Sequence, residues 1–208
     1  MRGRSARNVS SSALKGSPLS EYEFRTQMFP PGNDLDLHKD DIWKILELAD
    51  KDFVPPLSER EPITLGEMKR ARGAWSLPIE HLDFTLAMHV IIVWHNNSVV
   101  GYLSFKPDFR HETIEEYESC VLIDTVAVTP AWRRRGAARA LYKTLFDSEL
   151  FQSYEDAVLH TWSTNTSHGQ LIESIGFEEI DRNVDERAPG IDTVIYHRKT
   201  TPNPFEAE

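Results

Sequence analysis

The sequence predicts an α/β fold of the α+β kind: a mixed sheet with several antiparallel pairings, flanked by helices. Two observations carry this prediction. Segments with apolar residues at helical spacing alternate with short β-rich runs. Two of those runs are joined by Asn96-Asn97-Ser98, a tight turn that makes them an antiparallel hairpin. The chain has 208 residues, 40% hydrophobic and 27% charged, a globular composition with length enough for one sizeable core. A single domain is expected over residues 21–200, with 1–20 as a basic tail and 201–208 as a C-terminal tail.

In chain order, residues 1–20 carry Arg2, Arg4, Arg7 and Lys15, are rich in Ser, and contain no acidic residue. They read as a disordered tail or as an organelle transit peptide. A helix is expected from Leu37 to Ala49, where Ile42, Ile45, Leu46 and Ala49 recur at spacings of 3 and 4, with Trp43 beside them and Asp36, Asp40 and Asp41 near the positive end. A weaker helix is expected over Leu65–Gly73. The hairpin strands are Phe84–Trp94 and Val99–Phe105. A polar loop, 107–118, carries Glu112, Glu115, Glu116 and Glu118. A strand follows over Cys120–Val128, then a helix from Gly136 to Glu149 with Ala138, Leu141, Tyr142 and Leu145 inward. Ala157–Trp162 reads as a strand and Ser167–Ile175 as a short helix stopped by Gly176. Two strands, near Phe177–Asp181 and Thr193–Arg198, close the chain.

The balance of 23 basic against 33 acidic residues gives a net charge of −10. With the basic first 20 residues set aside, the body is more acidic still. This argues against a broad nucleic-acid or anionic-membrane surface. Cys120 is the single cysteine, so no intramolecular disulfide or Cys-based zinc site can form. No run of 18 apolar residues is present, and the start lacks the apolar stretch of a secretory signal. A cytoplasmic location is expected. His89 and His95 lie roughly 20 Å apart along a strand, and no metal site is expected.

The segment richest in chemical information runs from Val121 to Leu141: an apolar strand, a turn at Pro130, a basic loop ending in Gly136, and an amphipathic helix. Arg133, Arg134, Arg135 and Arg139 oppose the dipole at that helix start, which calls for a reason. Gly136, Ala137 and Ala138 leave the backbone N–H groups open to an anion. The segment reads as a pyrophosphate cradle, or as the solvated basic start of a surface helix. Neither the ATP P-loop pattern nor the dinucleotide Gly-x-Gly-x-x-Gly fingerprint is present.

Arg133-Arg134-Arg135-Gly136-Ala137-Ala138 after Val126-Ala127-Val128-Thr129-Pro130 resembles the acetyl-CoA site of the GNAT superfamily of N-acyltransferases. A second stretch, Asn165 through the short helix to Gly176-Phe177, resembles that family's other signature. The resemblance spans roughly residues 37–198. It implies a central sheet with a V-shaped splay between the strands at 120–128 and 157–162. It also implies pantetheine pairing along Val126, Ala127 and Val128, phosphates on the Arg133–Arg139 loop, and a hydrogen bond from Asn165. Acetyl-CoA would be the co-substrate, with a possible homodimer through the final strands.

Acyl transfer to an amine needs a base and a departing thiolate. Asp124 is the base candidate, since it shares strand parity with Leu122, Val126 and Val128 and so projects from an otherwise apolar face. The competing reading is a structural carboxylate bonded to a neighbouring loop. The resemblance would place a tyrosine acid where Ile172 stands, which leaves His168 and Tyr196 as substitutes, or no dedicated acid. Trp75 and the Glu-rich loop are candidates for acceptor specificity. The expected activity is transfer to a small cationic or amino-acid-like amine. The alternatives are a protein N-terminal or lysine acetyltransferase, and a non-catalytic CoA-binding regulator.

Overall fold

The computed structural model describes residues 22–59, 78–110 and 119–206. The basic tail at 1–20, the helix expected over Leu65–Gly73, Trp75 and the 111–118 part of the Glu-rich loop lie outside them. A seven-stranded sheet runs in the order β1-β2-β3-β4-β5-β7-β6. Its strands are β1 (Arg25–Phe29), β2 (His89–His95), β3 (Ser98–Phe109), β4 (Cys120–Val128), β5 (Asp156–Trp162), β6 (Glu178–Ala188) and β7 (Ile191–Lys199). Neighbours pair antiparallel except β4 and β5, which are parallel.

Helices cover both faces. On one lie α1 (Asn33–Asp36), α2 (Lys39–Ala49) and α3 (Pro78–Leu86). They bury Leu35, Ile42, Ile45, Leu46 and Leu82 against Val90, Ile92, Trp94, Tyr102 and Ala127. On the other lie α4 (Ala137–Phe146), α5 (Glu149–Gln152) and α6 (Thr166–Ser174). There Leu141, Tyr142, Leu145, Phe146, Phe151 and Ile172 pack on Ile91, Val93, Leu103, Phe105, Val121, Ile123 and Leu159. Among the described residues no helix is long and apolar enough to cross a membrane.

The two cores reveal a face switch inside β4. Val121 and Ile123 face the α4 side, and so do Val126 and Val128, while Ala127 faces the α2 side. Residues 121 and 123 cannot share a face with 126 and 128 in an unbroken period of two. The register explains it: Phe105 pairs with Ile123 and Ser104 with Thr125, so Asp124 is an extra residue opposite no partner, a β-bulge. The parity expected for Asp124, shared with Val126 and Val128, is therefore broken at Asp124 itself.

Other expectations also shift. Phe84–Leu86 complete α3 rather than begin a strand; His81, Leu82 and Thr85 are buried at helical spacing, and burial of that face outweighs the β-forming side chains. The helix expected to reach Glu149 stops at Phe146. Ser148 turns to an extended conformation and caps α5, accepting from the Phe151 N–H at 3.4 Å. β3 runs on to Phe109, into the expected polar loop, and the final hairpin is longer than the sequence shows. Segment 201–206 does not trail as a tail. Phe205 is buried against Phe146, Arg139 stacks over its ring at 5.0 Å, and Asn203 donates to Asp147 at 2.9 Å. Arg198 ties the same segment to α6 by donating to the carbonyls of Pro202 and Ile175.

Phe205→Ala should lower unfolding stability by about 3 kcal/mol in chemical denaturation, the cost of emptying a buried aromatic site. A change within about 0.5 kcal/mol, as at a surface position, would show that the segment is not docked.

Candidate active site

The parallel ladder between β4 and β5 is short. Val121 pairs with Ala157, Leu122 with Val158 and Ile123 with Leu159, and there it stops. Beyond Ile123 the two strands part, β4 continuing to Val128 with a ladder to β3 only. The bulge at Asp124 begins at the same residue, and bulges increase local twist. The result is a V-shaped opening in which one edge of Val126, Ala127 and Val128 is unpaired with β5.

Asp124 sits at the root of the V, on the wall of a small cleft lined by Phe53, His81, Leu122, Ile123, Thr125, His160, Trp162 and Arg187. Its carboxylate accepts from Thr125 Oγ1 at 2.9 Å and from Ser104 Oγ at 3.4 Å. Desolvation is the largest influence on it. It outweighs both hydrogen bonds and the Arg187 charge and pushes the pKa up to about 6. Thr125 commits its hydroxyl proton to Asp124, so the 3.1 Å contact with His81 is an Nε2–H donation from His81 to Thr125 Oγ1. The structure thus links α3 to Asp124 through Thr125. No sequence spacing could show this, because His81 and Thr125 are 44 residues apart.

The other acid–base candidates are elsewhere. His168, on α6, pairs with Tyr142 on α4 at 2.9 Å, and burial pushes its pKa down to about 4. Tyr196 is in the same core and donates to Glu173 Oε1 at 3.1 Å. Neither lines the cleft with Asp124, so the structure does not bring the three together. Ile172 is fully buried in the α4-side core. Burial pushes the Cys120 thiol up to about 12, which disfavours a thiolate nucleophile. Among the described residues no group of three or more His, Cys, Asp or Glu side chains could hold a metal ion.

The basic loop turns sharply into α4, and Arg133, Arg135 and Arg139 each contact other parts of the protein. Gly136 takes the left-handed conformation (φ 94°) and caps α4, a geometry glycine adopts without strain, and Arg134 is also left-handed (φ 56°). Ala137 and Ala138 open the helix, so the loop leads directly into unpaired N–H groups of the first turn. The sequence pattern groups Arg133 with the phosphate-facing arginines. Arg133 instead donates to the Val128 carbonyl at 3.0 Å and forms an ion pair with Asp52, clamping the strand end to the turn after α2. Arg135 lies over Trp132 and Tyr22, at 5.2 and 5.0 Å, and donates to the Tyr22 hydroxyl. Asn165 leads into α6 and donates to Thr161 Oγ1 at 3.2 Å, at the far end of β5.

The sequence model of the Acetyltransferase (GNAT) family matches residues 42–177. The chain belongs to the GNAT acetyltransferase family. The match covers both strands of the V, the basic loop and the Asn165–Phe177 segment, and it assigns this acetyltransferase to the acyltransferases. No curated protein matches it in sequence. Solved structures share its fold. A GNAT-family protein from Desulfovibrio desulfuricans is 18% identical with a TM-score of 0.55, the alignment covering 86% of this chain and 99% of that one. The yncA protein of Salmonella typhimurium, solved with its cofactor acetyl-CoA, is 18% identical with a TM-score of 0.54, covering 86% and 95%. The ribosomal-protein-S18-alanine N-acetyltransferase of Escherichia coli is 14% identical with a TM-score of 0.54, covering 88% and 98%.

The raised pKa of Asp124 has a stability consequence. The folded acetyltransferase holds this proton more tightly than the unfolded chain does, so ionising Asp124 disfavours folding. The cost is full above pH 6 and absent below pH 4. Asp124→Asn should therefore be more stable than the parent at pH 8, by up to about 3 kcal/mol. The gap should close as the pH falls from 6 to 4 in parallel denaturation curves.

Proposed function

We propose that this acetyltransferase moves an acetyl group from acetyl-CoA directly to the primary amine of a small cationic or amino-acid-like acceptor. The observation that carries this reading is the position of Asp124: a weakly acidic carboxylate at the root of the V, where the free edge of β4 meets a small cleft. Acetyl-CoA supplies an activated thioester, whose C–S bond is exchanged for an amide C–N bond with release of the CoA thiolate. The chain fits that partner. The free edge of Val126–Val128, apart from the Val128 carbonyl taken by Arg133, offers backbone groups to the pantetheine arm. The N–H groups from Arg134 to Ala138, with Arg134, Arg135 and Arg139 around them, suit a pyrophosphate. Asn165, which follows β5 on the opposite arm of the V, offers its side-chain amide to the pantetheine.

Asp124 receives the acceptor's ammonium and takes its proton as nitrogen becomes nucleophilic, directly or through one water. Thr125 and His81 hold the carboxylate in place. A thiolate leaves readily at neutral pH, so the step requires no dedicated acid from Tyr196 or His168. A second reading, in which the amine is a protein N-terminus, is favoured by the shared fold with the Escherichia coli S18-alanine enzyme. The Asp124 carboxylate suits either amine.

The base assignment predicts a rising limb in kcat/KM with an apparent pKa of about 6, because the ionised form of Asp124 is the active one. Asp124→Asn should lower turnover by roughly 10²- to 10⁴-fold, the usual worth of a general base, remove that limb, and leave acetyl-CoA affinity intact. An unchanged pH profile in the variant would remove Asp124 as the base.

A further inference from the structure

We infer that the acceptor is an α-amino acid with an apolar or aromatic side chain, and that Arg187, on β6, receives its carboxylate. This deepens the reading above and rests on it. Arg187 reaches over the end of β7, where its Nε donates to Thr193 Oγ1 at 2.8 Å, and its side chain lines the same cleft as Asp124. That is its one hydrogen bond among the described residues, and it forms no ion pair with Asp124. The two charges act on each other through space only. Glu186, the other nearby acid, accepts from Asn183 at 3.2 Å.

A guanidinium removed from water is costly unless its donors are satisfied. Burial here outweighs both acidic neighbours and lowers the Arg187 pKa. Arg187 lines the cleft and its Nη groups make no hydrogen bond among the described residues, and a carboxylate is the group whose two oxygens match that fork. The opposite requirement holds at Asp124, which suits an ammonium. A single small molecule that satisfies both must carry an amine and a carboxylate close together.

Besides His81, Thr125 and His160, the rest of the lining is apolar. Phe53 and Trp162 face each other at 5.9 Å with a 38° tilt, and Leu122 completes that wall. This surface suits the side chain of such an acceptor. A peptide N-terminus brings a neutral carbonyl to the same place and leaves the guanidinium uncompensated, and a polyamine brings a repelling charge.

The test uses the intact chain, acetyl-CoA and three acceptors with one side chain: phenylalanine, phenylalaninamide and phenethylamine, read as CoA release. The wild type should favour phenylalanine over each of the others by roughly 10- to 100-fold in kcat/KM, the worth of a charge-assisted bidentate contact. In Arg187→Gln that ratio should collapse towards unity, and in Arg187→Lys it should fall part of the way. Acetyl-CoA affinity, measured by calorimetry, reports that each variant is folded. If Arg187→Gln does not fold, the wild-type ratio and the Lys variant decide. A wild-type ratio at or below one, or a ratio unchanged in the variants, overturns the inference. So does the absence of transfer to all three acceptors. Transfer to spermidine or to a peptide N-terminus under the same conditions would then leave the acetyltransferase reading standing without it.

Discussion

The bulge at Asp124 is the constraint on which the site depends. It coincides with the end of the three-pair parallel ladder between β4 and β5. One extra residue in β4 exchanges the faces of everything that follows it. The apolar side chains of Val126 and Val128 thereby stay in the α4-side core, while Asp124 and Thr125 both address the α2 side. Without the bulge, either the valines or the carboxylate would be on the wrong face. The V-shaped gap and the placement of its acid have one cause.

That placement carries a tension. A carboxylate desolvated at a fork destabilises the fold when ionised, and the surroundings limit the cost without removing it. Thr125 and Ser104 each donate to Asp124, His81 supports Thr125, and Arg187 contributes charge from a distance. A direct ion pair with Arg187 would have held the carboxyl well below neutrality and made it a poor base. With the two charges apart, burial prevails at both groups: the carboxyl becomes a weaker acid and the guanidinium pKa is lowered. Sites of this kind commonly trade stability for function.

Much of this was legible in the sequence. Ile42, Ile45, Leu46 and Ala49 mark α2 because one face of a helix needs that spacing, and Asn96-Asn97-Ser98 marks the β2–β3 hairpin because a tight turn needs those residues. The strand–loop–helix unit around Gly136 was readable for the same reason: left-handed backbone and small side chains leave a local trace. What was missed is what tertiary contact decides. Phe84–Leu86 are β-formers held in a helix by burial of His81, Leu82 and Thr85. β6, from Glu178 to Ala188, is largely exposed and lacks any apolar period, so only its pairing with β7 defines it. A bulge leaves no mark in a run such as Ile123-Asp124-Thr125, so the facing of Asp124 was read from a parity that does not hold. Arg133 looked like its neighbours in the basic run, and only Asp52 and the Val128 carbonyl reveal its structural task. His81, Phe53 and Arg187 reach the cleft from distant segments, with no motif to announce them.

On the proposed reading, the carboxyl of Asp124 is a weak acid at the fork where the cofactor's arm and the acceptor would meet. This is tested most directly by a carbon-13 NMR titration of that carboxyl, free and with CoA bound. The expected result is an apparent pKa of about 6 in the free protein and a resonance that moves when CoA occupies the V. A carboxyl that titrates like an ordinary surface aspartate, near 3.8, and ignores CoA would contradict it.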